Sequence, residues 1–350
     1  MPGLLDVQKL ERLIELAQSE YDRVEYIWHG GEPLLCGLNY FEQIVQLQEK
    51  YRQTTSIIEN SIQTNGSLIN DDFIDFFRLN YFDISVSLDG PGECNSLRHH
   101  TAVVLKNIEK LQKASIHTST ISVIHALNVE HQIEMYEFFK SMNLSMKFNP
   151  IFQSGSANEN QEYLLDLEQY IKSLKELYDY WLFDKTAVKV DPIEQYLSLV
   201  LRERGIDCIY GSCLGHWIGI DHEGDIYPCG RSYPKDYKLS NILEINNLHQ
   251  AFETPSYERI LKETIIRRSK CQTSCEYFGI CNGGCNNNAI LEHQSLMEYG
   301  GFLCEVLKEM VVYVSSSIEA IQSSNDEQKY YNPIIQEKIR NSINLKQKRN

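Results

Sequence analysis

Positive charge is scarce in this sequence. Its 350 residues contain 33 Lys and Arg against 48 Asp and Glu, so the formal net charge is −15. Nucleic acids and anionic membrane surfaces bind through clustered Lys and Arg, and we therefore expect neither as a partner. The sequence also lacks any run of about 18 apolar residues, which argues against a membrane-spanning helix. Because the N-terminus shows no basic segment followed by an apolar run, we expect a cytoplasmic protein.

Cysteine is nearly absent from the first 200 residues, which contain only Cys36 and Cys94. The other eight of the ten cysteines lie between Cys208 and Cys304. In a small secreted protein this density would indicate disulfides. In a long chain without a secretion signal it indicates metal or iron–sulfur ligation.

The rest of the composition is that of an ordinary globular protein, with 42% hydrophobic and 23% charged residues. At about 100–200 residues per domain, the length fits two domains or one large barrel with an attachment. The first 150 residues alternate strand and helix patterns, which is typical of βαβ units with a parallel sheet. We predict five strands, at 26–28, 57–63, 82–88, 120–124 and 146–151.

Helix patterns separate these strands, and Asp71 or Asp72 is a candidate N-cap for the helix that begins near residue 73. A longer helix is expected over 163–182, and a tight hairpin over 218–227. Near the C-terminus, Ile335, Ile339 and Ile343 are spaced for one face of a short helix, although a solvated tail fits the polar composition equally well.

The cysteine spacing is dense: Cys271-x3-Cys275-x5-Cys281-x3-Cys285, followed by Cys304, with further cysteines upstream. A short segment of this kind can wrap several thiolates around one centre, and its glycines let the backbone approach closely. Eight thiolates divide into two sets of four. That number suits two 4Fe–4S clusters or two zinc ions, and the spacing leaves both open.

Three segments of this region resemble a known family. The stretches GDIYPC at 224–229, LSNI at 239–242 and CNGGC at 281–285 resemble the SPASM domain. That domain is the auxiliary two-cluster extension of radical S-adenosylmethionine (radical SAM) enzymes that modify peptides, such as anaerobic sulfatase maturases.

The resemblance implies two auxiliary 4Fe–4S clusters. The first would be held by Cys208, Cys213, Cys229 and Cys285. The second would be held by Cys271, Cys275, Cys281 and Cys304. The sequence departs from the family at Cys271-x3-Cys275, where two intervening residues are common.

The same resemblance extends to the first 150 residues. WHGGEPL at 28–34 is similar to the family's GGEP loop, TNG at 64–66 follows the next strand, and SLDGP at 87–91 follows the one after. Parallel barrels place their sites at such strand ends. The resemblance implies that the cofactor S-adenosylmethionine is bound through its amino group, ribose and carboxylate by Gly30, Gly31, Glu32, Pro33, Ser87 and Arg98. Asn128 matches an asparagine near substrate or cofactor, and Cys94-Asn95 replace a common His-Asp pair.

The defining Cys-x3-Cys-x2-Cys motif, which binds the 4Fe–4S cluster that contacts S-adenosylmethionine, does not occur in this sequence. We give Cys36 and Cys94 structural or incidental roles. The expected fold is α/β, a partial parallel (β/α)6 radical SAM barrel without its first strand, followed by a small SPASM domain. Either the coding region starts upstream of Met1, which we favour, or the motif was lost naturally. A third cluster is expected only if that segment is restored.

The expected domains are a truncated barrel at 1–155, a helical bridge at 156–207, the SPASM domain at 208–310, and a C-terminal helix and tail at 311–350. The expected function is radical maturation of a ribosomally made peptide or protein, with a flavodoxin or ferredoxin as electron donor. Sulfatase maturases carry an aspartate after the cysteine equivalent to Cys229, whereas this chain has Gly230, which favours another modification. The chain as printed is expected to be inactive alone. Two alternatives stay open: a non-catalytic iron–sulfur partner and a zinc-stapled binding protein.

Overall fold

The structure is a computed structural model that describes residues 3–151, 160–186, 188–203, 208–210, 213–231, 233–323 and 333–344. The expected domain boundaries at 155 and 207 lie outside these residues. Within the described part of the chain, no helix is long and apolar enough to cross a membrane.

Six strands form one sheet in chain order. They are β1 (Arg23–Trp28), β2 (Ile57–Thr64), β3 (Phe82–Ser87), β4 (Thr118–Ile124), β5 (Ser145–Pro150) and β6 (Val190–Asp191). The pairs β1–β2, β2–β3 and β5–β6 run parallel. The expected parallel α/β sheet is therefore present, but the count of five strands was wrong. The sixth, β6, has only two residues, and we had assigned them to the helical bridge because so short a strand has no alternating pattern.

Helices follow the strands as a βαβ fold requires. They are α1 (Val7–Glu20), α2 (Leu38–Lys50), α3 (Asp71–Leu79), α4 (Thr101–Lys113), α5 (Gln132–Ser141), α6 (Leu167–Phe183) and α7 (Ile193–Arg202). The N-cap of α3 is Asn70, whose side chain accepts a hydrogen bond from the backbone N–H of Phe73. Our prediction of Asp71 or Asp72 as the N-cap was wrong by one or two residues. Both aspartates lie in the first turn, where their charge favours the helix dipole.

The C-terminal part begins with three short antiparallel strands, β7 (Gly219–Ile220), β8 (Asp225–Tyr227) and β9 (Ser240–Asn241). The predicted hairpin is confirmed as β7–β8. Helices α8 (Pro255–Ser274), α9 (Phe278–Cys281), α10 (Asn286–His293), α11 (Phe302–Ser323) and α12 (Pro333–Asn344) follow. Of the two alternatives for the C-terminal segment, the structure has the helix. The expected domain boundary at 310 falls within α11.

The chain divides into two compact units, each assembled from separate stretches. The first comprises 1–88, 98–120 and 214–262, and the second comprises 89–97, 121–213 and 263–350. An aromatic cluster of Phe41, Phe73, Phe76, Phe77 and Phe82 lies in the core of the first unit. In the second unit, buried side chains of α6, α7, α11 and α12 pack together. The four-domain division stays a prediction.

Helix α12 is fastened to the second unit by a buried lysine. The ammonium group of Lys338 donates to the carbonyls of Trp181 and Asp184, and it lies 4.8 Å from the centre of the Trp181 ring. Only 3% of Lys338 is exposed, and burial lowers its pKa to about 8. Carbonyls at the C-terminal end of α6 thus accept hydrogen bonds from a residue of another helix. The last carbonyls of a helix have no partner within the helix, and Lys338 supplies one here.

Candidate functional site

Three loops follow the carboxyl ends of β1, β2 and β3, which are neighbours in the six-stranded sheet. The sequence motifs 29–33, 65–66 and 88–91 occupy these three loops. Parallel strands deliver their carboxyl ends to one edge of a sheet, so the three segments follow neighbouring strand ends, as the sequence predicted.

Glu32 ties the first of these loops to the second. Its Oε1 accepts hydrogen bonds from Thr64 Oγ1 at 2.7 Å and from the backbone N–H of Leu34 at 3.0 Å. Its Oε2 accepts one from the backbone N–H of Asn65 at 2.7 Å. We had expected the carboxylate to face a ligand's ammonium group, and sequence reasoning did not foresee this second task. Oε2, which accepts one hydrogen bond, retains a lone pair for a further donor.

Gly30 and Gly31 leave open space beside this carboxylate. A Cβ placed on either glycine would meet no heavy atom within 4 Å. The backbone of Gly30 has φ of +148°, a conformation that other residues rarely adopt. The loop therefore exposes backbone groups next to a fixed carboxylate. This donor and acceptor set suits an ammonium-bearing cofactor such as S-adenosylmethionine.

Ser87 and Arg98, the other residues assigned to the cofactor, also belong to the first unit. Ser87 ends β3 and is half-buried, and Arg98 is half-buried in the bend that precedes α4. Asn128, the weaker assignment, belongs to the second unit and is fully buried. Its Oδ1 accepts from the backbone N–H of His125, and its Nδ2 donates to the carbonyl of Val123. A third bond, from Nδ2 to the carbonyl of Cys94 at 3.4 Å, reaches outside the turn. Asn128 thus holds the 123–128 turn in place and ties it to the segment that carries Cys94.

His29, directly before the glycines, packs against Gly230. A Cβ on Gly230 would lie 3.0 Å from Nε2 of His29. Burial lowers the pKa of His29, which favours the neutral imidazole. The position after Cys229 thus has little room for a larger side chain while His29 keeps this place. The preceding Cys229 accepts a hydrogen bond at its sulfur from the backbone N–H of Arg231 at 3.3 Å.

Four cysteines come together in the second unit from three helices. Cys271 lies near the end of α8 and Cys275 just after it, Cys281 ends α9, and Cys304 is in the first turn of α11. Burial raises the pKa values of the Cys271, Cys281 and Cys304 thiols, and nearby thiols of the same group add to the effect. The fold therefore brings together the set that the resemblance assigned to the second cluster.

Four thiolates that act on one another electrostatically form a ligand set that a 4Fe–4S cluster requires. A zinc ion accepts four thiolates as well. The residues present thus fit a 4Fe–4S cluster, and they would also fit a zinc ion.

Arg267 organises the loop between the two cysteine sets, and the sequence analysis missed it. Only 1% of this residue is exposed. Its guanidinium donates to the carbonyls of Gly283 at 3.1 Å, Leu296 at 3.2 Å and Gly284 at 3.3 Å, and also to Oδ1 of Asn286. The only hint in the sequence is a charged residue that directly follows two isoleucines on α8.

The first set of cysteines is divided between the two units. Cys208, Cys213 and Cys285 belong to the second unit, and Cys229 belongs to the first. Cys208 begins a short turn that contacts α9, Cys213 interacts electrostatically with Arg268 on α8, and Cys285 is the residue before α10. These three thus lie beside α9, α8 and α10, respectively. Their relation to Cys229 stays a prediction.

Comparison with known proteins agrees with this geometry. A model of the Radical SAM superfamily matches residues 1–139. The cysteine-type anaerobic sulfatase-maturating enzyme of Clostridium perfringens strain 13 is 26% identical over 329 residues, covering 89% of this chain and 87% of the relative. A solved structure of the enzyme anSMEcpe with bound AdoMet and a Kp18Cys peptide superposes with a TM-score of 0.81 at 25% identity, covering 91% of both chains.

Residues 1–139 thus match the Radical SAM superfamily, and the chain is related to the anaerobic sulfatase-maturating enzymes. The serine-type enzyme of Bacteroides thetaiotaomicron is 26% identical and covers 80% of this chain and 73% of the relative. Streptococcus suis SuiB, solved with its precursor peptide SuiA, has the same fold with a TM-score of 0.60 at 20% identity, covering 85% of this chain and 69% of SuiB. The recognition made from the sequence motifs is therefore confirmed. The individual site residues remain predictions.

Proposed function

We propose that this chain is a SPASM-type maturase that modifies a residue of a ribosomally made peptide or protein. Two observations support this: the Glu32-tethered glycine loop at the end of β1, and the four-cysteine group of the second unit. Two relatives solved with peptides, anSMEcpe and SuiB, agree with a peptide-sized substrate. A bound S-adenosylmethionine would supply the radical chemistry of such a maturase, and the residues of this chain would hold and orient it.

The residues of the chain would share the work of binding and positioning. Gly30, Gly31, Glu32 and Pro33 would hold the ammonium end of the cofactor, Ser87 its ribose and Arg98 its carboxylate. A guanidinium pairs with a carboxylate through two parallel hydrogen bonds, which suits the last role. The printed sequence has no three-cysteine ligand set for the radical cluster, so the residues present do not fit that group. We derive no step of catalysis through it.

The eight C-terminal cysteines would hold two auxiliary 4Fe–4S clusters. The second set is assigned to Cys271, Cys275, Cys281 and Cys304, and the first to Cys208, Cys213, Cys229 and Cys285. Anaerobic reconstitution should give about eight irons per chain and a broad visible absorption band. The variant Cys281→Ala should lose about half of that iron, whereas Cys36→Ala, which removes a cysteine outside both sets, should lose none. Equal iron in the two variants would refute the assignment.

A second candidate is a non-catalytic iron–sulfur partner, which would need no radical cluster. The printed chain lacks Cys-x3-Cys-x2-Cys. The decisive experiment compares the printed chain with a chain extended by whatever the coding DNA encodes in frame upstream of Met1. Cleavage of S-adenosylmethionine by the extended chain alone would establish the maturase with a misplaced start. If the upstream sequence contains no such motif and neither chain cleaves the cofactor, the protein is the partner. Cleavage by the printed chain would refute our expectation that it is inactive.

A further inference from the structure

Cys94, His131 and Glu134 lie together in the second unit, and none of them belongs to either cysteine set. A ligand atom of each side chain, sulfur, nitrogen or oxygen, lies within 4.8 Å of the other two. Ligands of a tetrahedral zinc, with bonds of about 2.0–2.3 Å, stand about 3.3–3.8 Å apart. Small side-chain rotations would therefore bring all three atoms to bonding distance from one ion.

We propose that Cys94, His131 and Glu134 bind a divalent transition metal of the zinc type, with a fourth position open to water or to an added ligand. Three protein ligands that differ in chemistry, one thiolate, one imidazole and one carboxylate, are a set that zinc accepts. This site is separate from the eight cysteines assigned to iron–sulfur clusters. It gives Cys94 a role in place of the incidental one that the sequence suggested.

Local structure presents the three side chains on one side of the helix start. His131 ends a short turn and Glu134 lies in the first turn of α5, three residues later. Nδ1 of His131 lies 3.0 Å from Oε2 of Glu134. Their side chains are 53% and 59% exposed, whereas Cys94 is 3% exposed. An ion can thus enter from solvent past the two exposed ligands and reach the buried sulfur.

The loop that carries Cys94 is held firmly against α5 and the end of β4. Asp89 accepts a hydrogen bond from the backbone N–H of Val123 at 2.7 Å, and the carbonyl of Cys94 accepts one from Asn128 at 3.4 Å. Gly90 packs so closely that a Cβ there would lie 2.8 Å from Cγ of Met135. Metal sites depend on such supporting contacts to hold their ligands in position.

The charge around Cys94 is negative. Glu134, Asp89 and Glu93 all act electrostatically on its thiol. Such surroundings attract a cation, and a bound cation would in turn stabilise the thiolate that ligation requires. An exposed His131–Glu134 pair alone needs no metal. The buried thiol of Cys94 beside this pair is the third ligand that distinguishes the proposed site from an ordinary surface ion pair.

The test uses the full chain with its iron–sulfur clusters reconstituted, so that added zinc meets filled cluster sites. After anaerobic incubation with about one equivalent of Zn²⁺ and removal of the excess, zinc and iron are counted by mass spectrometry. Zinc K-edge absorption then reports the ligands of zinc without interference from iron. We expect about one zinc per chain, with one sulfur near 2.3 Å and the remaining ligands nitrogen or oxygen.

Three variants test the ligands separately. His131→Ala and Glu134→Gln change exposed side chains, so they should fold normally and weaken zinc binding at least tenfold without changing the iron content. Cys94→Ser should remove the sulfur from the zinc spectrum. Cys36→Ala and Glu137→Gln, which alter a second cysteine and a neighbouring acid on α5, are matched controls that should bind zinc as the parent does.

Three results would overturn the site. The first is a zinc spectrum with four sulfur ligands, which would place the ion at the cluster cysteines. The second is unchanged zinc binding in His131→Ala and Glu134→Gln, and the third is that the parent retains no zinc. The outcome does not depend on the proposed maturase activity, because zinc content and spectrum are measured without substrate or S-adenosylmethionine.

Discussion

Replacing Arg267 with glutamine should disrupt the cysteine-rich part of the second unit. The Arg267 side chain is buried and donates to three backbone carbonyls and one amide oxygen, all in segments that follow α9. The amide oxygen belongs to Asn286, whose Nδ2 in turn donates to Thr264 Oγ1 at 3.0 Å. The side chain therefore fixes the Cys281-to-Cys285 turn against α8.

The expected loss of stability follows from the hydrogen-bond acceptors that Arg267→Gln leaves without a donor. The bonds to Leu296 and Asn286 are fully buried, and a buried acceptor without a donor costs about 1–3 kcal/mol. Glutamine is shorter and can replace one of these donors at most. Adding the two partly buried carbonyls, we expect Arg267→Gln to lower the free energy of unfolding by about 3–5 kcal/mol, as removal of a buried charged partner commonly does.

The iron content of the Arg267→Gln variant should fall together with its stability. Cys281 and Cys285 flank the two glycine carbonyls that Arg267 holds, and they are assigned to different clusters. A loosened turn would thus misplace a ligand of each, and we expect a loss of at least half of the reconstituted iron. The measurements are iron per chain and denaturant unfolding of the anaerobic protein.

The matched control is Lys270→Gln, on the same helix. Lys270 is 41% exposed at its side chain and pairs with Glu298 at 2.9 Å. An exposed ion pair contributes about 0–1 kcal/mol, so this variant should keep its iron and nearly all of its stability. If Arg267→Gln behaves like Lys270→Gln in both measurements, the buried hydrogen-bond network does not organise the turn, and the reasoning is wrong.

Three further perturbations test other parts of the structure. Gly230→Asp should lower the free energy of unfolding by about 1–3 kcal/mol, because the added side chain is overpacked against His29. In a double-mutant cycle, His29→Ala should relieve most of that cost. If the effects of the two substitutions on stability simply add, the contact between the two positions is contradicted. Glu32→Gln should cost about 1–3 kcal/mol in thermal or denaturant unfolding, because its amide NH2 group must face at least one donor that needs an acceptor, the backbone N–H of Asn65. The exposed Glu42→Gln should be neutral. Because burial lowers the pKa of Lys338 to about 8, the folded state loses this proton before the unfolded state does. Parent stability should therefore rise relative to Lys338→Met between about pH 8 and 10.5, by up to about 3 kcal/mol, and a constant difference would refute the burial effect.

Local patterns determined much of this fold in advance. The alternation of apolar strands and amphipathic helices predicted a parallel α/β sheet, and the loop motifs at 29–33, 65–66 and 88–91 predicted where neighbouring strands end. Cysteine spacing predicted a ligand-rich region after residue 208. These features depend on residues close together in the chain, whose periodicity and turn chemistry are readable without the fold.

Tertiary structure decided what depends on distant residues meeting. Strand β6 exists because Val190 and Asp191 pair with β5. Two residues are too few to form a local pattern that predicts a strand. Arg267 and Lys338 are charged side chains that only their buried acceptors explain. The grouping of Cys94 with His131 and Glu134 likewise depends on packing between a loop and a helix. The sequence by itself thus indicated the family and proposed the site residues. Long-range packing decided which polar groups are buried and which of them share a centre, because burial and distance are properties of the folded chain alone.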